Sequence, residues 1–213
     1  MSLSLMMWRR HYASFDARLA QRAAFEAEAS DMPPPFRPMS KQRFAAEVAG
    51  FSWQRRVWRV DVHHTFIPDH ARFREIGGLG CQEGMCRHHV VERRFDDIAQ
   101  HVTIAPDGVI WSGRDWNKMP ASVGFGLNRG AFMLEMIGNF DVGHDRLDGA
   151  QLETTFAVVA AVQHHFKLPA EALLFHREVP VTEKTCPGTG VEKRTFLAGL
   201  SEHRARLALL TSA

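Results

Sequence analysis

Three segments of the chain have the hydrophobic pattern of β-strands. Residues 57–62 alternate apolar and polar side chains, which is typical of a half-buried strand. Residues 131–137 form a nearly continuous apolar run that only Glu135 interrupts, and residues 173–175 form a shorter run. The pattern therefore predicts three strands, and the last two are expected to be largely buried.

A β-hairpin is predicted around residues 107–108, which are an Asp-Gly pair. The pair lies between the β-prone runs at residues 102–104 and 109–111, and Asp-Gly favours the tight turns that join antiparallel strands. Residues 121–130 contain regularly spaced glycines and are predicted to form a loop.

Helical periodicity appears in the segments at residues 41–49, 151–166 and 191–210, where apolar side chains recur every three or four positions. Residues 77–86 are rich in glycine, which predicts a loop, and a short helix is predicted at residues 87–95. Strands and helices that intermix in this order favour an α/β fold with a central mixed β-sheet flanked by helices.

The first fifty residues differ from the remainder. Residues 14–30 are rich in Ala, Glu and Arg at helical spacing, and three prolines at residues 33–35 follow. We therefore expect an N-terminal helical extension, residues 1–50, and one folded domain, residues 51–213.

Charge and hydropathy exclude several classes of protein. Lys and Arg number 26 against 24 Asp and Glu, and a net charge of +2 is too small to predict a nucleic-acid partner. No apolar run is long enough for a membrane span, and charged side chains occupy the N-terminal residues where a signal peptide needs an apolar stretch. We expect a protein that is cytoplasmic as synthesised, and nothing in the sequence indicates its oligomeric state.

Three residues suggest a metal site. His63 and His176 each follow or end a predicted strand, and Cys186 lies in a loop. A catalytic Zn²⁺ site takes three protein ligands from His, Cys or carboxylates and leaves the fourth position for water. Because the chain contains 12 histidines, this spacing alone also allows structural roles.

Five short blocks, in order along the chain, carry a family resemblance. They are Val-His-His-Thr at 62–65, Asp-Gly-Val-Ile-Trp-Ser-Gly-Arg-Asp-Trp-Asn at 107–117, Ile-Gly-Asn-Phe at 137–140, His-Arg-Glu-Val at 176–179 and Thr-Cys-Pro-Gly at 185–188. These blocks resemble those of the type 2 N-acetylmuramoyl-L-alanine amidases, a family that includes the peptidoglycan recognition proteins and amidase-type phage lysozymes. The resemblance extends over residues 57–200.

The resemblance implies both a cofactor and a reaction. It implies that His63, His176 and Cys186 bind Zn²⁺. The expected function is zinc-dependent hydrolysis of the amide bond between N-acetylmuramic acid and L-alanine in peptidoglycan or muropeptides. The alternative is a non-catalytic recognition module that binds peptidoglycan in the same groove. An enzyme without a signal peptide could recycle soluble fragments in the cytoplasm, or reach the cell wall by a non-standard route.

Two catalytic candidates follow. Glu135 is a lone carboxylate in an apolar strand, which is costly to bury, and it resembles the acid/base glutamate of the cytoplasmic cell-wall-recycling amidases. A solvent-facing or structural glutamate is the alternative. Lys184 lies two residues before Cys186 and resembles the family lysine that stabilises the oxyanion, although a solvated loop lysine remains open.

Four residues are expected to contact the substrate. Gln100 stands where many relatives have a tyrosine near the zinc, and it can orient water but cannot exchange a proton near neutral pH. Trp116 and Asn117 belong to a block that contributes to the groove in relatives, and Asn128 lies in the next loop. A core position for Trp116 is equally open.

The roles of the cysteines and of the other histidines near the predicted metal site are less clearly indicated by the sequence. The recognition proteins often carry a short-loop disulfide where this chain has Cys81 and Cys86, so a disulfide and two free thiols both remain open. His88 and His89 are predicted to be surface or capping residues and not a second metal site. His64 is expected to point away from His63 and to have a structural role.

Overall fold

A computed structural model of the chain describes residues 36–124, 126–180 and 182–211, with side chains described as far as residue 206. The predicted helical extension at residues 14–30 lies outside the described residues. Within the described part, no helix has the length and apolar character that crossing a membrane requires.

The strands form one mixed sheet, as predicted. They are β1 (Pro38–Met39), β2 (Arg59–His64), β3 (Val102–Ile104), β4 (Ile110–Ser112), β5 (Ala131–Met136) and β6 (Leu173–Phe175). Their order is β1-β4-β3-β5-β2-β6. The pairs β2–β5, β2–β6 and β3–β5 are parallel, whereas β1–β4 and the predicted hairpin β3–β4 are antiparallel. The carboxyl ends of β2, β5 and β6 therefore meet at one edge of the sheet.

Four helices flank the sheet. They are α1 (Lys41–Gly50), α2 (His70–Arg87), α3 (Gly149–His165) and α4 (Lys193–Thr211). A short π-helical segment, His88–Glu92, follows α2, and a single 3-10 turn, His176–Glu178, follows β6. Helices α1, α3 and α4 match the three segments predicted from helical periodicity.

Helix α1 packs with the residues that follow it. The described residues from Phe36 onward form one compact unit, and α1 belongs to it. Ser40 caps α1, and its buried side chains Phe44 and Val48 join the main core. The ring of Phe44 meets Phe132 of β5 edge to face, with ring centroids 6.2 Å apart. The apolar face of α1 therefore covers the sheet, although α1 lies on the N-terminal side of the boundary expected after residue 50.

The glycine-rich segment at residues 77–86 is helical, so the loop prediction there is wrong. Helix α2 passes through it with one break at Gly77, where φ is 68°. The next glycine permits close packing, since a Cβ on Gly78 would lie 2.3 Å from Nε1 of Trp111 in β4. Gly78 thus serves the contact between α2 and the sheet instead of ending the helix.

Candidate metal centre and cleft

Two histidines come together at the carboxyl edge of the sheet. Val62 pairs with Phe175 across the parallel strands β2 and β6, so His63 and His176 follow at the next position of each strand. Their ring centroids lie 4.9 Å apart. Both side chains are buried at the floor of a cleft.

Cys186 completes a three-residue cluster. Its Sγ lies 3.4 Å from Nδ1 of His63, and the ligand atoms of His63, His176 and Cys186 all lie within 4.8 Å of one another. Three donors at this mutual distance could hold one metal ion. Two imidazole nitrogens and one sulfur are a donor set that suits Zn²⁺ with an open fourth position.

The protonation states of these groups also fit a metal. Burial lowers the pKa of His63 well below its ordinary value, and His176 and Lys184 add to the effect. Burial, with Lys184, lowers the pKa of His176 to about 4. Both rings are therefore neutral at physiological pH and can offer lone pairs. Burial raises the pKa of Cys186 to about 12, so a thiolate there needs a cation close to it.

The loop that carries Cys186 is fixed by polar contacts. The carboxylate of Asp141 accepts hydrogen bonds from the Thr189 backbone N–H at 2.8 Å and from the Thr185 hydroxyl at 3.0 Å. Arg177 donates from Nη1 to the carbonyl oxygen of Gly188 at 2.6 Å. These contacts hold both flanks of Cys186 before any ligand binds.

His64 supports the cluster without joining it. Its Nδ1 accepts a hydrogen bond from the backbone N–H of Phe140 at 3.2 Å, while its own backbone N–H points at Sγ of Cys186 at 3.4 Å. The structural role expected for His64 agrees with these contacts.

Glu135 lies next to His63. The two residues are register partners on β5 and β2, and Glu135 lines the cleft. Its Oε2 is buried and has no hydrogen-bond partner among the described residues. Burial raises the pKa of Glu135 to about 8, and the charge of Lys184 opposes that shift. The described residues form no ion pair with it, which speaks against the structural alternative.

Lys184 is exposed on the loop before Cys186 and lines the same cleft. Its positive charge lowers the pKa of His63, His176, Glu135 and Cys186 alike. One ammonium group therefore acts electrostatically on all four neighbours. Its placement differs from that of a loop lysine surrounded only by solvent.

The cleft extends well beyond the cluster. Its volume is about 1120 Å³, and it runs from the metal-ligand candidates along α2 and the segment after it. Exposed Phe66 and Ile67 lie on its rim, and its lining contains both basic side chains, among them Arg72, Arg87 and Arg93, and acidic ones. A cleft of this size and character can accept a ligand much larger than a single amino acid.

The four residues expected to contact the substrate do not lie among the described residues that line the cleft. Gln100 is fully buried and donates from Nε2 to the hydroxyl of Thr103 at 2.8 Å. Trp116 is a core residue, stacked on Trp53 with ring centroids 5.7 Å apart.

The two asparagines stabilise loops. Asn117 accepts a hydrogen bond from the Gln54 backbone N–H and donates one to the carbonyl of Ser52. Asn128 accepts from the backbone N–H groups of residues 123 and 124. Amide side chains satisfy such turns as readily as they bind a ligand, and sequence alone does not separate the two uses.

A hydrogen-bonded chain behind His63 was not expected. Nε2 of His63 lies 2.7 Å from Oγ of Ser122, which donates to Oδ2 of Asp61 at 2.7 Å. Arg59 donates from Nε and Nη2 to the two oxygens of Asp61. The sequence signal for this chain is Asp61, a charged residue between the apolar Val60 and Val62. No sequence pattern distinguishes Ser122.

The remaining candidates have ordinary roles. Cys81 and Cys86 are free thiols on α2. His88 contacts Glu92, and Nδ1 of His89 accepts from the Ala99 backbone N–H. Within the described residues, the cluster around His63 is the only group of His, Cys and acidic side chains placed to hold a metal.

The fold and this cluster define a class: α/β proteins with a His-His-Cys metal-binding candidate in a sheet-edge cleft. A family model described as N-acetylmuramoyl-L-alanine amidase matches residues 53–189. An N-acetylmuramoyl-L-alanine amidase of Mus musculus is 25% identical over 130 residues, which is 61% of this chain and 24% of that protein. The chain thus matches about a quarter of that relative's length.

Solved structures share the fold. Drosophila PGRP-LB gives a TM-score of 0.54 at 25% identity, over 65% of this chain and 78% of that one. A variant of PGRP-LB has been solved in complex with tracheal cytotoxin. The amidase LysC from Clostridium intestinale gives a TM-score of 0.55 at 23% identity, over 70% of this chain and 89% of that one. Because the family model matches more than half of this chain, the protein belongs to the N-acetylmuramoyl-L-alanine amidase family. Membership supports either cleavage or binding of peptidoglycan.

Proposed function

We propose that the protein is a zinc-dependent amidase that hydrolyses the bond between N-acetylmuramic acid and L-alanine in peptidoglycan or muropeptides. The observation that carries this proposal is the convergence of His63, His176 and Cys186 beside Glu135 in one cleft. Family membership supports the substrate class, and so does the complex of PGRP-LB with tracheal cytotoxin.

The three clustered residues would hold the cofactor. Neutral His63 and His176 offer nitrogen lone pairs, and Cys186 offers sulfur. When bound, zinc would act as a Lewis acid and make a nucleophile available at neutral pH. The cleft brings the carbonyl of the substrate to this point.

Glu135 carries the proton exchange in this proposal. Amide hydrolysis requires a group that takes a proton from the attacking water and delivers one to the leaving nitrogen. Oε2 of Glu135 has no competing partner among the described residues, and its raised pKa of about 8 lies near working pH. The charge of Lys184 favours the ionised form that accepts the proton.

Lys184 stabilises negative charge on the substrate. As water adds to the carbonyl, charge develops on oxygen, and a fixed cation close to that oxygen lowers the barrier. Its position at the mouth of the cleft, close enough to affect four neighbouring groups, suits this task.

Binding without cleavage is the second candidate function. It is favoured by the long, arginine-bearing cleft and by the similarity to PGRP-LB. In that case the same cleft would hold a muropeptide and leave its amide intact.

Mass spectrometry of muropeptides separates these functions. Soluble anhydro-muropeptides and intact sacculi are incubated with zinc-loaded wild type, with Cys186→Ser and with Cys86→Ser, a matched control whose thiol does not line the cleft. We expect wild type and Cys86→Ser to release the peptide from the sugar and Cys186→Ser to be inactive. Muropeptides that bind to wild type and stay intact would establish the recognition function instead.

A further inference from the structure

A buried carboxylate stands behind one metal-ligand candidate. Asp61 is fully buried in β2, two residues before His63, so both side chains extend to the same face of the sheet. An ionised carboxylate inside a protein is costly unless it is paired and hydrogen-bonded. The proposed function gives Asp61 no task, although it is enclosed between the neighbouring strands β5 and β6.

Its polar partners form an ordered chain. Arg59 donates to both carboxylate oxygens, at 2.5 Å and 3.2 Å, and Ser122 donates its hydroxyl hydrogen to Oδ2 at 2.7 Å. A forked arginine contact favours the ionised carboxylate, which only accepts hydrogen bonds. The single hydroxyl hydrogen of Ser122 is thereby committed to Asp61.

The direction of the last link follows. Ser122 Oγ has only lone pairs left to present to Nε2 of His63, which lies 2.7 Å away. A neutral imidazole facing an acceptor at Nε2 must carry its hydrogen there. Its lone pair is then on Nδ1, the atom that lies 3.4 Å from Sγ of Cys186 and faces the cluster.

We propose that Ser122 and Asp61 are positioning residues that fix the tautomer and orientation of His63, so that its Nδ1 lone pair points at the metal site. The hydrogen-bonded chain from Arg59 through Asp61 and Ser122 to His63 is called the His63 relay. This inference rests on the proposed zinc function. Metal-ligating histidines generally use their second ring nitrogen in such contacts, and loss of the partner weakens metal affinity about 10–100-fold.

The first test reads the tautomer in metal-free protein. Long-range ¹H–¹⁵N correlations, with His63 assigned from a His63→Gln variant, should show the hydrogen on Nε2 in wild type. Ser122→Ala should show a mixture of tautomers, and Ser122→Thr, which keeps a hydroxyl, should restore the wild-type pattern. Ser201→Ala, at an exposed serine of α4, is the matched control and should match wild type. A wild-type tautomer in Ser122→Ala would overturn the relay.

The second test measures zinc affinity by competition with a chromogenic chelator. Ser122→Ala should bind zinc about 10-fold more weakly or worse, with Ser201→Ala unchanged. Ser122→Ala is used instead of Asp61→Asn, because Asp61→Asn would leave Arg59 unpaired and risk unfolding. Circular dichroism and thermal melting of the metal-free protein check that Ser122→Ala is folded. Equal affinity in wild type and Ser122→Ala would overturn the relay alone. Absence of zinc binding by wild type would overturn the proposed function as well.

Discussion

His63 and Glu135 are register partners on the parallel strands β2 and β5, so a metal-ligand candidate and a partly buried acid project side by side into one cleft. Residues paired in a sheet point to the same face, and this pairing fixes their separation through the backbone. In the proposed function, this arrangement would place proton transfer next to the zinc position.

Substitution of Glu135 should separate metal binding from catalysis. Glu135→Gln keeps the shape of the side chain but cannot exchange a proton, and it is not part of the metal cluster. We expect full zinc content by elemental analysis and a loss of about 10²–10⁴-fold in kcat. Glu75→Gln, at an exposed position on α2, is the control. A near-normal rate in Glu135→Gln would remove this residue from the mechanism.

The same carboxyl group should affect stability as pH changes. Because its pKa is raised from 4.5 to about 8, folding favours the protonated form. Its contribution to the free energy of unfolding is fully present below its unfolded pKa and is lost as pH rises towards about 8. Urea unfolding of metal-free protein should show wild type losing up to a few kcal/mol relative to Glu135→Gln between about pH 5 and about pH 8. A difference that stays constant with pH would contradict the burial of Glu135.

Lys184 should matter for rate and little for folding. Lys184→Ala removes an exposed side chain that is close to the reacting groups, so we expect unchanged thermal stability and retained zinc. The expected loss in kcat is about 10²–10³-fold, comparable to that of an oxyanion donor. Lys41→Ala, an exposed lysine of α1, should have wild-type kinetics. Equal kcat in both variants would leave Lys184 as an ordinary surface residue.

Asp141 should stabilise the loop that carries Cys186. Asp141→Ala removes the acceptor for Thr185 and Thr189, and hydrogen bonds to a charged group contribute about 1.5–3 kcal/mol each. We expect a lower free energy of unfolding in urea together with weaker zinc binding. Glu202→Ala, at an exposed position of α4, should change neither. If Asp141→Ala also changes neither, the loop is held by other contacts.

Local pattern was sufficient for most of the fold. The alternation at residues 57–62 anticipated β2 with a displacement of two residues, and the Asp-Gly pair at residues 107–108 anticipated the β3–β4 hairpin. The loop predicted at residues 77–86 was wrong because Gly78 is needed for close contact with Trp111, which is more than thirty residues away in the sequence. Phe44 lies in the predicted extension, and a local pattern does not show its contact with Phe132, which is far away in the sequence.

The residues of the candidate site also differ in how far a local sequence pattern predicts them. His63, His176 and Cys186 were predicted from residue type and family resemblance, and they meet where β2 and β6 end beside the loop that carries Cys186. Gln100 and Trp116 are buried, and sequence alone does not tell which side of a short segment faces the core. Ser122 was missed since a loop serine gains its importance only from the buried Asp61 beside it.

X-ray absorption at the zinc edge tests the central claim most directly. Protein loaded with one equivalent of zinc should show one sulfur ligand at about 2.3 Å and nitrogen ligands at about 2.0–2.1 Å. Cys186→Ser should lose the sulfur signal, and Cys86→Ser should keep it. A zinc spectrum with only nitrogen and oxygen ligands in the wild-type protein, or sulfur that persists in Cys186→Ser, would contradict the account.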